Sequence, residues 1–215
     1  MRIALIHALK HSVAPIEAAF ADLWPQARLA NLLDDSLSAD LARDGALTPA
    51  METRFLALAR YAAGCGADGI LFTCSAFGPC IEACARALAP MPVLKPNEAM
   101  IEEALAAAGP TGRIGLLASF APTLASMPAE FPAGVRLVPT LAAGAMPALD
   151  RGDLAAHDQA CVQAAMALTE CDAIALAQFS LARAADAIAR ATGKTVLTTP
   201  ASAVRKLRQL LDGGA

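Results

Sequence analysis

Cys74 has the residue type and the sequence setting of a reactive group. It lies in the stretch ADGILFTCSAFG, residues 67–78, between an apolar run that ends at Phe72 and a helical pattern over 79–88. Open α/β sheets bind ligands at the carboxyl ends of their strands, and a helix start carries partial positive charge. Such a position favours the thiolate, the nucleophilic form of cysteine. We therefore predict that Cys74 is the reactive residue.

The other cysteines indicate packing rather than chemistry. Cysteine is among the most frequently buried residue types, and Cys80 and Cys84 are one helical turn apart with no histidine nearby. No spacing is typical of zinc ligands, so we expect free thiols and no metal site. The remaining cysteines are Cys65, Cys161 and Cys171.

Composition and charge point to a small-molecule partner. Of 215 residues, 56% are hydrophobic and 17% are charged, and the net charge of −3 leaves no basic footprint for nucleic acid or anionic lipid. The amino end lacks the features of a secretion signal, and no apolar run approaches the ~20 residues of a membrane helix. We expect a cytoplasmic protein that binds neither nucleic acid nor membrane.

Apolar runs alternate with helical patterns, and the same layout occurs twice. Asp68 and Asp172 open corresponding runs, Ile70 and Ile174 lie inside them, and every such pair is 104 residues apart. The pattern predicts strands over 2–8, 28–33, 70–72, 92–94, 113–118, 135–138, 171–177 and 195–198. It predicts helices over 13–23, 38–43, 48–63, 79–88, 98–108, 154–168 and 178–192, the first of them capped by Ser12.

This alternation predicts an α/β protein of two pseudosymmetric, doubly wound lobes. Each lobe would have a parallel four-stranded sheet, with a cleft between the lobes where the strand ends face each other. We predict an amino-terminal lobe over 1–96, a carboxyl-terminal lobe over 97–200, and a final helix over 201–215 that packs on the first lobe. The 104-residue offset sets Gln178 against Cys74 and Ser180 against Ala76.

Three motifs carry a family resemblance. They are TCSAFG at 73–78, RIGLLA at 113–118 followed by Ser119, and AQFSLA at 177–182. They look like the aspartate/glutamate racemase superfamily, which also contains hydantoin and allantoin racemases, maleate isomerase and arylmalonate decarboxylase. The resemblance implies a cofactor-independent enzyme with a small carboxylate-bearing substrate, and by analogy a possible homodimer. It also implies that Cys74 and Gln178 occupy the two catalytic positions.

One departure from the family pattern bears on the reaction. Racemases of this family carry a cysteine at both positions, whereas this sequence has Gln178 at the second. Two-base racemisation needs a titratable group on each face of the α-carbon, and an amide is not one. Isomerase-type or lyase-type chemistry through Cys74 alone is therefore preferred. Three alternatives stay open: a racemase with a non-cysteine second base such as His7, an amide or ester hydrolase with a cysteine nucleophile, and a catalytically silent small-ligand-binding protein.

Further side chains near the predicted strand ends are candidate substrate contacts. Hydroxyl groups there can also serve only as helix caps, and Asp35 and Ser36 after the second strand fit a solvated turn equally well. His11 and His157 lie in polar surroundings and are expected to face solvent. The predicted substrate-binding residues are His7, Thr73, Ser75, Ala76, Ser119, Thr123, Phe179 and Ser180.

Overall fold

The protein folds into two compact α/β units. The computed structural model describes residues 1–213. The first unit comprises Met1–Pro96 together with the described residues from Ala203 onward, and the second comprises Asn97–Ser202. Each unit has a parallel four-stranded sheet, which confirms the predicted fold class. The last helix begins two residues before the predicted start at 201, and residues 214 and 215 lie outside the described part of the chain.

The sheet of the first unit has the order β2-β1-β3-β4, with all neighbouring strands parallel. Its strands are β1 (Arg2–His7), β2 (Arg28–Leu33), β3 (Gly69–Phe72) and β4 (Val93–Leu94). Its helices are α1 (Val13–Leu23), α2 (Ser36–Asp44), α3 (Pro49–Gly64) and α4 (Gly78–Leu88). In this order the carboxyl ends of β2, β1 and β3 are adjacent, so side chains that follow these strands come together.

Apolar side chains of the central strands form the core of the first unit. All four residues of β3 are buried, as expected for a strand that is covered on both faces. Phe55 of α3 stacks on Phe72 with ring centroids 5.2 Å apart, and it also meets Phe77 at 4.9 Å. Phe72 and Phe77 lie on either side of Cys74 in the sequence. This aromatic cluster therefore fixes the chain around the candidate cysteine.

The second unit repeats this arrangement with the order β6-β5-β7-β8. Its strands are β5 (Arg113–Ala118), β6 (Arg136–Leu141), β7 (Ala173–Leu176) and β8 (Thr195–Thr198). Its helices are α5 (Glu98–Ala108), α6 (Ala121–Ser126), α7 (Ala145–Asp150), α8 (Leu154–Met166) and α9 (Ala185–Thr192). The helix α10 (Thr199–Asp212) starts in this unit and continues into the first one.

An identical contact in both units confirms the internal repeat. The Asp68 carboxylate accepts a hydrogen bond from the backbone N–H of Arg2 at 2.7 Å. The Asp172 carboxylate accepts one from the backbone N–H of Arg113 at the same distance. In each unit the residue just before the central strand is thereby joined to the first residue of the neighbouring strand. The acidic pair that marks the repeat in the sequence has the same structural role twice.

Several element boundaries differ from the sequence prediction. The predicted helix over 178–192 divides into a 3-10 segment, Phe179–Ala184, followed by α9. The short helices α6 and α7 were not predicted. Ser12 makes no side-chain cap bond to α1, and its hydroxyl donates to the Leu9 carbonyl at 2.7 Å. Among the described residues, no helix is long and apolar enough to span a membrane.

Candidate active site

The candidate cysteine lies just beyond the carboxyl end of β3. Cys74 is two residues past Phe72, in an extended conformation (φ −125°, ψ 122°), and it precedes a 3-10 turn, Ser75–Phe77. The helix α4 follows directly from Gly78. The residue is partly exposed, and the sequence prediction of a strand end followed by a helix start is therefore correct for its backbone.

The protonation of Cys74 differs from the sequence expectation. Burial raises the pKa of the thiol from its ordinary value of 9.0 to about 11. The backbone N–H of Ala76 and the hydroxyl of Ser38 act in the opposite direction, because a hydrogen bond from either group favours the thiolate. Loss of water around the sulfur outweighs the effect of both groups. Cys74 is therefore a neutral thiol at physiological pH.

A narrow recess lies beside the sulfur within the first unit. It is too tight to hold a water molecule. Apart from Cys74 and the His7 residue at the end of β1, its lining is apolar. The apolar lining residues are Ile6, Ala8, Leu37, Phe55 and Phe72. This apolar wall explains why the thiol is poorly solvated on that side.

His7 is fully buried in a hydrogen-bond network next to the candidate cysteine. Its Nδ1 lies 2.8 Å from the hydroxyl of Thr73, the residue immediately before Cys74. Its Nε2 lies 2.9 Å from Oδ1 of Asn31, and Asn31 donates its side-chain N–H to Glu17 at 2.8 Å. The network thus joins the ends of β1 and β3 through side chains.

The surrounding donors determine the tautomer of His7. Because the side-chain N–H of Asn31 is directed at a carboxylate, its oxygen must be the acceptor, and Nε2 of His7 carries the hydrogen. The Ser12 hydroxyl gives its hydrogen to a backbone carbonyl. Thr73 is therefore the donor to Nδ1 of His7.

His7 remains neutral and has a protein partner on each ring nitrogen. Burial lowers its pKa from 6.5, while the hydrogen bond that Nε2 donates to Asn31 and the charge of Glu17 act in the opposite direction. A base that takes a proton from substrate needs a free ring nitrogen, and both nitrogens of His7 are occupied here. In this arrangement His7 holds Thr73 in place.

The helix α2 contributes an unpredicted hydroxyl that affects Cys74. Ser38 donates to the Ala8 carbonyl at 3.0 Å, and its hydroxyl is one of the groups that lower the pKa of Cys74. By contrast, Ser36 donates to Asp34 at 2.8 Å and so belongs to a different contact. The sequence prediction began this helix at Ser38 and examined Ser36, so it missed the serine that affects this pKa. Asn31 was also missed, because nothing in a strand pattern marks a side chain that orients a buried histidine.

The second unit has an amide at the corresponding strand end. Gln178 follows β7 by two residues, and its Oε1 lies 2.6 Å from the backbone nitrogen of Ser119 and 3.1 Å from the Ser119 hydroxyl. A backbone N–H can only donate, so Oε1 must be the acceptor. The orientation of the amide is therefore fixed, with its NH₂ group on the side away from the Ser119 nitrogen. Gln178 itself is partly exposed.

The remaining predicted substrate contacts differ in exposure. Ser75 and Ala76 in the first unit are partly exposed. Thr123, Phe179 and Ser180 in the second unit are buried, with 2%, 3% and 6% of their surfaces exposed. Ser75 and Ala76 are therefore accessible to solvent, whereas the three residues of the second unit are largely inaccessible.

The prediction for His157 was wrong. It is fully buried in α8 rather than solvent-facing, because its ring packs against Asp158 and Cys161. Its Nδ1 lies 2.9 Å from Asp158, and its Nε2 lies 3.8 Å from the sulfur of Cys161. Asp158 also forms a bidentate ion pair with Arg183, with N–O distances of 2.7 and 2.9 Å. This cluster stabilises the contact between α8 and the 3-10 segment after β7.

Comparison with solved structures confirms the two-unit racemase fold. A glutamate racemase isoform from Bacillus anthracis has a TM-score of 0.74 at 12% identity, over 99% of this chain and 82% of that one. An allantoin racemase from Klebsiella pneumoniae has a TM-score of 0.70 at 18% identity, over 100% and 89%. Unliganded arylmalonate decarboxylase has a TM-score of 0.63 at 19% identity, over 100% and 94%.

The chain is similar to these proteins in structure, although sequence comparison finds no match. No family model and no curated protein sequence matches the chain. The solved structures nevertheless cover nearly all of it, and they are the same kinds of protein that the three sequence motifs resemble. The resemblance predicted from those motifs is therefore confirmed at the level of the fold.

Proposed function

We propose that this protein is a cofactor-independent enzyme that acts on a small carboxylate-bearing substrate, with the Cys74 thiol as its single proton donor. One observation carries the proposal. At equivalent strand ends of the two units, a thiol stands in one and an amide in the other. Only one of these groups can exchange a proton near neutral pH. The reaction is therefore lyase-type, and decarboxylation is the example we favour.

The protonation of Cys74 supports this reaction. A pKa of about 11 leaves the thiol protonated at physiological pH, so that it has a proton to give. In the proposed step the bond between the α-carbon and a carboxylate breaks, carbon dioxide leaves, and the electron pair stays on the α-carbon. The thiol then transfers its proton to that carbon and becomes a thiolate, which regains a proton from water.

Gln178 is proposed to stabilise the negative charge that forms in this step. Its oxygen is already held by Ser119, and its NH₂ group supplies hydrogen-bond donors that need no reorganisation. Fixed donors of this kind lower the energy of a developing oxyanion. A glutamine also carries no charge of its own, so an anionic substrate is not repelled. The side chain thereby contributes to the reaction without serving as a second acid or base.

The substrate class follows from the same chemistry. A carbanion formed by decarboxylation survives only when a neighbouring carbonyl or carboxyl group accepts its charge, as in a substituted malonate. One fold neighbour is named an arylmalonate decarboxylase, and we propose substituted malonates as the first class to examine. We propose that six of the eight binding groups predicted from the sequence contact the substrate, while His7 and Thr73 act through the hydrogen bond between them. The six are Ser75 and Ala76 in the first unit and Ser119, Thr123, Phe179 and Ser180 in the second.

The test combines two measurements on one sample. The protein is incubated in deuterated water with a panel of 2-substituted malonates, amino acids and hydantoins. Carbon dioxide release and deuterium at the α-carbon are then followed by NMR. We expect malonate turnover with one deuterium incorporated, complete loss of activity in Cys74→Ala, and full activity in the control Cys65→Ala, which removes an exposed thiol.

Other outcomes correspond to the remaining functions. Deuterium exchange in an amino acid or hydantoin without loss of carbon dioxide would establish a racemase and overturn the lyase proposal. An acyl adduct on Cys74, seen by mass spectrometry with an ester or amide, would establish a hydrolase. Binding that raises the melting temperature with no turnover of any panel member would establish a silent binding protein.

A further inference from the structure

We propose that Arg183 is a positioning residue for Gln178, because its ion pair with Asp158 of α8 fixes the 3-10 segment that begins directly after Gln178. The inference rests on the proposed function, in which Gln178 supplies the hydrogen-bond donors. All the residues that carry it lie in the second unit. The motif AQFSLA ends one residue before Arg183, so the sequence resemblance does not include this residue.

Gln178 is held by different structures on its two sides along the chain. Before it, the Ala177 N–H donates to the Leu117 carbonyl at 2.9 Å and so continues the pairing of β7 with β5. After it, the Gln178 carbonyl accepts from the Leu181 N–H at 3.1 Å, within the first turn of the 3-10 segment. A displacement of this segment therefore turns the backbone of Gln178 and moves its side chain.

Arg183 fixes the far end of the 3-10 segment. Its Nε and Nη2 atoms donate to the two carboxylate oxygens of Asp158, at 2.7 and 2.9 Å. A bidentate pair between a guanidinium and a carboxylate fixes direction as well as distance, because both groups are planar. The segment is thus held by the sheet at Gln178 and by α8 at Arg183.

Asp158 is itself oriented from the core of the unit. Nδ1 of His157 lies 2.9 Å from the oxygen that also accepts from Nε of Arg183. Burial acts to raise the pKa of Asp158, but the hydrogen bonds from Arg183 and His157 lower it overall. An ionised carboxylate can only accept, so Nδ1 of His157 carries the hydrogen and Nε2 accepts from the Cys161 thiol at 3.8 Å. Both His157 and Cys161 are fully buried, so Arg183 is connected to the core through these side chains.

Apolar contacts keep the 3-10 segment folded when the ion pair is removed. Leu181 and Ala184 are fully buried and belong to the same core cluster as Cys161. Apolar packing of this kind is not directional, whereas a bidentate ion pair is. Loss of the ion pair should therefore shift the segment without unfolding it.

The first measurement observes Gln178 directly and needs no turnover. The side-chain amide is followed by NMR in protein made with isotope-labelled glutamine, and its signals are assigned as those that Gln178→Ala removes. Hydrogen exchange of the Ser119 N–H, which donates to the Gln178 oxygen, is measured in the same variants. We expect Arg183→Met to shift the amide signals and to exchange the Ser119 hydrogen about tenfold faster than the parent, because a displaced acceptor protects it less.

Further variants test whether Arg183 acts through Asp158. Asp158→Asn should cause the same change, and the double variant should be no worse than either single one, because all three remove one interaction. Arg190→Met is the matched control, since it removes the same charge from an exposed position of α9 and should leave the Gln178 signals as in the parent. Circular dichroism checks the fold, and the nearly isosteric Asp158→Asn decides if Arg183→Met does not fold. Unchanged Gln178 signals, additive effects in the double variant, or an equal change in Arg190→Met would overturn the proposal.

The second measurement is kinetic and uses the substrate panel. Because Gln178 is proposed to stabilise charge that forms only during the reaction, Arg183→Met should lower kcat about tenfold and leave KM nearly unchanged. A raised KM with unchanged kcat would overturn the positioning role. If the parent turns over no substrate, the proposed function fails, and the Gln178 signals still decide the role of Arg183.

Discussion

Gln178 and Ser119 are joined by a short hydrogen bond, with 2.6 Å between the side-chain oxygen and the backbone nitrogen. The residue at 119 donates through its main chain, so this contact persists whatever side chain occupies that position. The amide is consequently oriented by the backbone at the end of β5.

Replacing the amide by a second thiol is expected to change the reaction. In Gln178→Cys, titratable sulfurs stand at the equivalent strand ends of both units, which is what two-base proton exchange requires. We expect measurable solvent deuterium exchange at the α-carbon of an acidic amino acid or hydantoin, where the parent has none. The double variant Cys74→Ala/Gln178→Cys is the control and should show no exchange. A folded Gln178→Cys protein with no exchange would count against the equivalence of the two positions.

The pH dependence of turnover separates a thiol acid from a thiolate nucleophile. Because burial raises the pKa of Cys74 to about 11, an acid is already fully protonated at neutral pH. The rate should therefore stay level up to about pH 9 and decline as pH approaches 11. A thiolate nucleophile would instead gain about tenfold per pH unit over this range. Initial rates in overlapping buffers, with stability checked at each pH, make the distinction.

The buried histidine should make the protein sensitive to acid. Burial lowers the pKa of His7, so the unfolded chain binds a proton before the folded one does. Stability is therefore full above pH 6.5 and decreases as pH falls below that value. In His7→Phe this decrease should become shallower, as seen in denaturant unfolding at a series of pH values. An unchanged slope would show that another group is responsible.

The same variant should be less stable than the parent at neutral pH. His7→Phe leaves the buried Thr73 hydroxyl without its nitrogen acceptor, although phenylalanine roughly preserves the volume of the ring. Loss of one partner from a buried hydrogen bond costs about 1–3 kcal/mol in the free energy of unfolding. Denaturant midpoints at neutral pH measure this difference. A variant as stable as the parent would show that the network adds nothing net.

The repeated aspartate contact predicts equal effects in both units. Asp68→Ala and Asp172→Ala each remove a carboxylate that accepts a backbone N–H at 2.7 Å. We expect each to lower the free energy of unfolding by about 1 kcal/mol, since each removes one exposed hydrogen bond. The two sites share no hydrogen-bond partner, so the double variant should show the sum of the single effects. A large difference between the two single variants would contradict an equivalent role.

Features that depend on local pattern were predictable from the sequence. Apolar runs identify β2, β5 and β8 with their observed bounds, and helical spacing identifies α1 and α5. The repeat of Asp68 and Asp172 indicated two equivalent sheets before any fold comparison. These features follow from residue type and spacing along the chain. The parallel pairing of the strands then follows from the alternation of strands and helices.

Features that depend on tertiary packing were not predictable in this way. The sequence places Cys74 before a helix and so favours a thiolate, whereas packing against Phe72 and Phe55 removes water and favours the thiol. No spacing between residues 38 and 74 indicates that Ser38 of α2 affects the pKa of Cys74. Proton affinity at this site is therefore a property of the folded environment.

The path of α10 has a consequence for synthesis on the ribosome. The unit that contains Gln178 is one continuous segment and is complete at Ser202, whereas the unit that contains Cys74 also needs residues from Ala203 onward. Leu207 is fully buried there, and its side chain approaches Gly69 at the start of β3. Domains generally fold as units while the chain emerges. The first unit is thus the first to emerge and the last to be completed. Cys74 reaches its final surroundings only when α10 has been synthesised.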